Sequence, residues 1–150
     1  MKAYLDSSAL VKLYYPEPES ETLQEWVFRN RPEILLSPIH TLEITNAMAL
    51  KVSRGEVRAE TFARWQLHFQ RDQAEGVLTR YAPPWQFVLS DAERLAAEVS
   101  VRLGTRSLDM LHIALARLSG AELFMTNDAR QGQAARECNL SVVFLSSLVR

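Results

Sequence analysis

Four short apolar runs constrain this chain most: Lys2 to Leu5, Ile34 to Leu36, Glu122 to Met125 and Val142 to Leu145. Each is too brief for a helix, and between them the apolar residues recur at helical spacing. Leu10, Leu13 and Tyr14 mark a helix over Ser7 to Tyr15, ended by Pro16 and Pro18. Leu23, Trp26 and Val27 mark another over Ser20 to Asn30, and the pattern is helical again from Ile39 to Ser53, with Gly55 where a helix end favours glycine. Phe62, Trp65 and Phe69 give a long amphipathic helix over Ala59 to Tyr81, weakening at Gly76 and stopped by Pro83-Pro84.

Phe87 to Leu89 reads as a further short strand. Ser90-Asp91-Ala92-Glu93 then has the form of a capping box opening a helix to Leu103, closed by Gly104. Ser107 caps a strongly apolar helix over Leu108 to Leu118, with a stripe of Leu108, Leu111, Leu115 and Leu118, and a last helix spans Asn127 to Cys138. Strands alternating with helices require crossovers, so the expected class is α/β: a short parallel sheet with helices on both faces. In such a sheet the functional crevice lies at the carboxyl ends of the strands, near the topological switch point.

At 150 residues, without repeats, low-complexity tracts or linkers, the sequence predicts one domain over 1–150 that buries roughly two thirds of its unfolded surface. Cys138 stands alone, which rules out an intramolecular disulfide and a cysteine-based zinc cluster within the chain. No stretch has the form of a signal peptide or a membrane span, and the expectation is a soluble cytoplasmic protein. The net charge of −1 advertises no polyanion partner; the bias to 14 Arg over 3 Lys suits phosphate recognition, and equally reflects genome composition.

Only five aspartates occur, and three are pointedly placed. Asp6 ends the first strand, Asp128 follows Leu123-Phe124-Met125 by way of Thr126-Asn127, and Asp109 lies in the first turn of the apolar helix. Glu43 falls in the first two turns of the helix after Ile34 to Leu36. Each has an ordinary reading. Asp6 and Asp128 fit helix N-caps, Asp109 complements a helix dipole, and Glu43 fits a solvated helix surface. Together they occupy one edge of a parallel sheet.

Four converging carboxylates repel and call for a counter-charge. Oxygen-only ligation points to Mg²⁺, with Mn²⁺ as substitute, and thence to hydrolysis at phosphorus. Ser7, Ser8, Thr126 and Asn127 flank two of the acids, as caps or as groups orienting water or phosphate. Asn46 lies one turn after Glu43, and His112 three residues after Asp109, as a supporting or substrate group or as a core histidine. No glycine-rich phosphate loop, G-x-S-x-G elbow or H-E-x-x-H motif is present.

The segment from Tyr4 to Tyr14 (YLDSSALVKLY), with Glu43 in Thr41-Leu42-Glu43-Ile44, Leu108-Asp109-Met110-Leu111-His112-Ile113-Ala114 and Thr126-Asn127-Asp128, resembles the PIN-domain family, and within it the VapC-type toxins of toxin–antitoxin pairs. The likeness spans nearly the whole chain, and the order and spacing of all four acids match. It implies a PIN-like three-layer fold and a metal-dependent endoribonuclease that leaves a 5′-phosphate and a 3′-hydroxyl. Asp6, Glu43, Asp109 and Asp128 correspond to the family's acidic quartet of metal-site residues, Asp6 and Asp109 at the positions most consistently tied to Mg²⁺, Glu43 at that of the third ligand or activating carboxylate, and Asp128 at the more variable fourth acid, with Thr126 where the family often has a hydroxyl.

The same resemblance implies an RNA substrate, a homodimer and a small VapB-like antitoxin lying in the groove by the active site. Leu13, Tyr14, Leu23, Trp26, Phe62 and Trp65 offer apolar faces for such a segment, or simply core. The alternatives are an RNA-processing nuclease without an antitoxin, a non-catalytic RNA-binding scaffold, and an aspartyl phosphatase or phospho-acceptor. The last wants a second aspartate where Ser8 stands, or paired acids after the first strand and a late lysine.

Overall fold

The computed structural model describes residues 1–148. Five parallel strands form one sheet: β1 (Lys2–Leu5), β2 (Glu33–Leu36), β3 (Leu78–Arg80), β4 (Leu123–Thr126) and β5 (Val142–Phe144), in the order β3-β2-β1-β4-β5. The chain adds β2 and β3 on one side of β1, then crosses to add β4 and β5 on the other, so the switch point lies beside β1. Ala3 is in register with Ile34 on β2 and with Leu123 on β4.

Alternation along the strands divides the core into two layers. Ala3, Leu5, Ile34, Leu36 and Met125 face α1 (Ser7–Leu10), α2 (Ser20–Asn30), α3 (Pro38–Ser53) and α4 (Ala59–Ala74). Tyr4, Leu35 and Phe124 face α5 (Trp85–Leu95), α7 (Ser107–Leu118) and α8 (Ala129–Glu137), with the short α6 (Val101–Leu103) leading into α7. Fully buried side chains such as Leu10, Leu23, Ile44 and Ile113 each contribute about 1.5–3 kcal/mol by leaving water. Leu23 and Trp65 are core, and Leu13, Tyr14, Trp26 and Phe62 pack against it, so these faces serve the interior. Among the described residues no helix is long and apolar enough to cross a membrane.

The α/β class and four of the expected strands hold; several boundaries do not. The helix expected to reach Tyr81 stops at Ala74. Gly76, at φ +75°, turns the chain into β3, an edge strand whose one buried residue, Leu78, leaves no apolar run to read. Phe87 to Leu89 is not a strand. Val88 begins a buried row with Ala92, Leu95 and Val99 at helical spacing, while Phe87 and Leu89 point to solvent.

Ser90 is therefore inside α5 and caps nothing, and the segment Ala96–Ser100 widens to a π-turn before α6. α1 tightens into a 3₁₀ turn at Val11–Leu13 instead of running on to Tyr15. On α7, Leu108 and Leu118 of the expected stripe are largely exposed; Met110, Ile113, Ala114 and Leu115 supply the buried face, and Arg106, not Ser107, holds the N-cap position. The last helix starts at Ala129 instead of Asn127, with Asp128 as its N-cap, as expected of that residue.

Candidate active site

Asp6 follows the last residue of β1, and its backbone N–H donates to the Met125 carbonyl at 3.0 Å, so the ladder between β1 and β4 continues into the site. Its extended backbone makes it the N-cap of α1. Oδ1 accepts from the Ala9 N–H at 2.7 Å and the Ser8 hydroxyl at 2.8 Å, and Oδ2 accepts from the Thr126 hydroxyl at 2.6 Å. Only 4% of Asp6 is exposed. That burial raises its carboxyl above the usual aspartate value, and the donors from Thr126, Ala9 and Ser8 offset only part of the rise.

Asp128 stands two residues beyond β4 and caps α8, its Oδ1 accepting from the N–H groups of Arg130 at 2.8 Å and Gln131 at 3.0 Å. Its own N–H donates to Thr126 Oγ1 at 3.0 Å, so one buried hydroxyl at the end of β4 joins Asp6 to Asp128. Asp109, third residue of α7, reaches back to accept from the Arg106 N–H at 2.8 Å. The Arg106 guanidinium then lies 3.7 Å from Asp109 and 4.0 Å from Asp128 on an 81% exposed side chain at the mouth of the site.

Glu43 comes from the second turn of α3. Its Oε2 accepts from the Ser7 hydroxyl at 2.6 Å and from Nε2 of the buried His112 at 2.5 Å. Burial pushes the Glu43 carboxyl up, but the hydrogen bonds from His112 and the Ser7 hydroxyl outweigh it and hold the group below its ordinary value.

A cavity of about 170 Å³ opens between these elements, lined by all four acids with Ser7, Ser8, Arg106 and His112. A larger and more apolar hollow of about 570 Å³ beside Leu36, Leu42 and Tyr81 carries none of the acids. Donor chemistry at the acid cavity suits a hard divalent cation: every acid is an oxygen donor. Asp109, Asp128 and Glu43 each spend one oxygen on protein donors and keep the other. Among the described residues no three His, Cys, Asp or Glu side chains already surround one point. The donor set suits a hard divalent cation held by one or two carboxylates, with water and substrate oxygens completing its shell.

Of the expected residues, Asp6, Glu43, Asp109, Asp128, Ser7, Ser8, His112 and Thr126 are brought together. Asn46 is not: it is exposed on α3 and makes no side-chain hydrogen bond among the described residues. Asn127 is exposed too, its Oδ1 accepting from the Ser146 N–H at 3.1 Å, and it lines the neighbouring groove instead of the acid cavity. Arg106 and Gln131 escaped the sequence reading, although each lies three residues from an aspartate, the spacing of a cap and its partner.

Fold and site together define an α/β protein with an acid-lined cavity at the carboxyl edge of a parallel sheet, beside its switch point. The chain belongs to the PIN-domain family, whose model matches residues 3–137. It is 28% identical over 142 residues to Ribonuclease VapC46 of Mycobacterium tuberculosis, covering 93% of this chain and 95% of that one. Among solved structures, FitAcB from Neisseria gonorrhoeae superposes with a TM-score of 0.65 at 18% identity, over 96% of this chain and 98% of that one. PAE2754 from Pyrobaculum aerophilum gives 0.67 at 18% identity over 99% and 92%. At that identity the two structures bear on the fold alone.

Proposed function

We propose that this chain is a Mg²⁺-dependent endoribonuclease, with Mn²⁺ as a substitute, acting in the cytoplasm as the toxin of a type II toxin–antitoxin pair that inhibits translation. The observation that carries this reading is the convergence of Asp6, Glu43, Asp109 and Asp128, from four separate elements, on one cavity of a PIN-domain chain. The likeness to a mycobacterial ribonuclease supports RNA as the substrate. We take residues 1–150 as a single nuclease domain and the active form as a homodimer.

A divalent cation bound here would supply Lewis-acid chemistry, lowering the pKa of water and offsetting negative charge at the phosphate. Asp6 and Asp109 would hold it, and Glu43 or Asp128 would orient the attacking water. Thr126 keeps Asp6 and Asp128 in fixed relation, and Arg106 takes a phosphate of the RNA at the mouth. Water attack at phosphorus breaks the bond to the 3′ oxygen and leaves a 5′-phosphate and a 3′-hydroxyl.

A groove of about 540 Å³ shares Ser7, Ser8 and Glu43 with the site and continues between Val11, Ile44, Leu50 and Arg54. Its apolar floor, rimmed by Arg54 and by the ion pairs of Lys12 and Lys51 with Glu17, suits a segment of a VapB-like antitoxin. The test is incubation of total RNA with purified protein, with Mg²⁺, with EDTA, and with Asp6→Asn. Discrete fragments that need Mg²⁺ and vanish in the variant support the reading. No cleavage, with no rise in melting temperature on adding Mg²⁺, overturns it.

A further inference from the structure

Behind Glu43, on the side away from solvent, three polar rings are buried together: Tyr4 and His40 are fully inaccessible and His112 is 3% exposed. We propose that Tyr4 is a positioning residue, which acts through His112 to aim the Glu43 carboxylate; the inference rests on the nuclease reading above. The Tyr4 hydroxyl lies 2.8 Å from His112 Nδ1, and His112 Nε2 lies 2.5 Å from Glu43 Oε2. An ionised carboxylate only accepts, so Nε2 carries the hydrogen. The Tyr4 O–H, donating into Nδ1, selects that tautomer, much as an orienting group does for a metal-site imidazole.

The rest of the pocket holds this direction. Tyr4 is fixed by β1 and stacks on Phe124, with ring centroids 5.8 Å apart and planes 7° from parallel. His40, the other ring against it at 4.7 Å, has its own partners: Nε2 donates to the Leu5 carbonyl at 2.7 Å, and Nδ1 accepts from the Ser37 N–H at 3.0 Å. Burial pushes His40 down to about 3, so it stands as a neutral wall. Glu43 Oε2 is thus held from two sides, by Ser7 and His112, and Oε1 is the oxygen left for the cavity. A glutamate on a half-exposed helix face otherwise turns freely about three bonds. Here strand β1 and helix α7 meet to fix it.

A double-mutant cycle with a spectroscopic arm tests this. Tyr4→Phe removes one oxygen and keeps the ring stack; it should lower kcat roughly tenfold to a hundredfold and leave KM for RNA within about twofold. In His112→Gln, whose side-chain amide donates to Glu43 without help, adding Tyr4→Phe should change nothing further. Additive losses would mean general loosening and overturn the assignment, as would full activity of Tyr4→Phe. In metal-free protein, ¹⁵N spectra of the histidine rings should show His112 as the Nε2–H tautomer, and a mixture in Tyr4→Phe. The Nδ1–H tautomer in the unaltered chain, or no change on losing the hydroxyl, overturns the proposal even if no RNA is ever cleaved, so its failure is separable from that of the nuclease reading.

Discussion

Asp6→Asn and Glu43→Gln should shift the stability of the metal-free protein in opposite senses along the pH axis. Burial lifts the Asp6 carboxyl above 3.8, so the native state binds that proton more tightly than the unfolded chain does. Stability from this group is fully present below the unfolded value and is lost as pH rises through the raised native one. Asparagine keeps the shape without the charge. Its Oδ1 still accepts from Ser8 and Ala9, and its Nδ2 faces Thr126 Oγ1, whose hydrogen turns to Gln131 Oε1, 2.9 Å away.

Three charge-assisted bonds become neutral ones, a loss of about 1 kcal/mol each. Against that, the penalty of several kcal/mol for desolvating a buried ion disappears. Burial prevails in the carboxyl itself, so the variant should be about 1 kcal/mol more stable above the carboxylate range, or about 2–4 °C in Tm for a chain of this size. Glu43 works the other way. His112 and Ser7 hold it below 4.5, so its contribution is present above the unfolded value and lost as pH falls through the lowered native one. Thermal melts in EDTA from about pH 3 to about pH 8 span both carboxyls. The Tm difference, wild type minus Asp6→Asn, should fall as pH rises, and that for Glu43→Gln should grow. An Asp6→Asn variant less stable than wild type at every pH would refute the claim that burial outweighs the three donors.

Arg106→Gln should weaken binding of single-stranded RNA and flatten its dependence on log salt by about 0.7, the share of one phosphate contact; fluorescence anisotropy over a salt series reads it, and an unchanged slope removes Arg106 from the RNA path. Gly132→Ala should destabilise the fold by about 1–3 kcal/mol through overpacking. A Cβ there would overlap the edge of the Phe144 ring, which must swing off α8. Urea denaturation measures the cost, and Phe144→Leu in the same chain should recover part of it.

Four strands were legible because β1, β2, β4 and β5 carry apolar residues between breakers, and β3 was not because Leu78 alone points inward. Phe87 to Leu89 misled for a related reason. Three apolar residues in a row fit a strand or the first turn of a helix, and only the row continued by Ala92, Leu95 and Val99 decides it. Asp6 and Asp128 were legible because a carboxylate at or just beyond the end of an apolar strand is conspicuous, and Asp109 because it opens an apolar helix. Tyr4 and His40 were not, since a tyrosine in a strand and a histidine in an apolar helix look like core from the sequence, and core they are apart from their polar tips.

The two readings of Asp6, Asp109 and Asp128, as helix-end residues and as site acids, turn out to describe one arrangement. A carboxylate has two oxygens, and a helix N-terminus has unpaired N–H groups that need only one of them. Asp128 gives Oδ1 to Arg130 and Gln131, Asp109 gives Oδ2 to Arg106, and in each the second oxygen is left over in an orientation set by the backbone. Capping is what makes these acids rigid. Because the helices α1 and α8 begin where β1 and β4 end, on either side of the switch point, two capping aspartates face each other across the same crevice. Glu43 lacks a cap to hold it, being in the second turn of α3, and it is the acid held by side chains alone, Ser7 and His112. The buried tyrosine and histidine do for Glu43 what the helix ends do for the aspartates, which is why loss of one hydroxyl on β1 should be felt at an oxygen on α3.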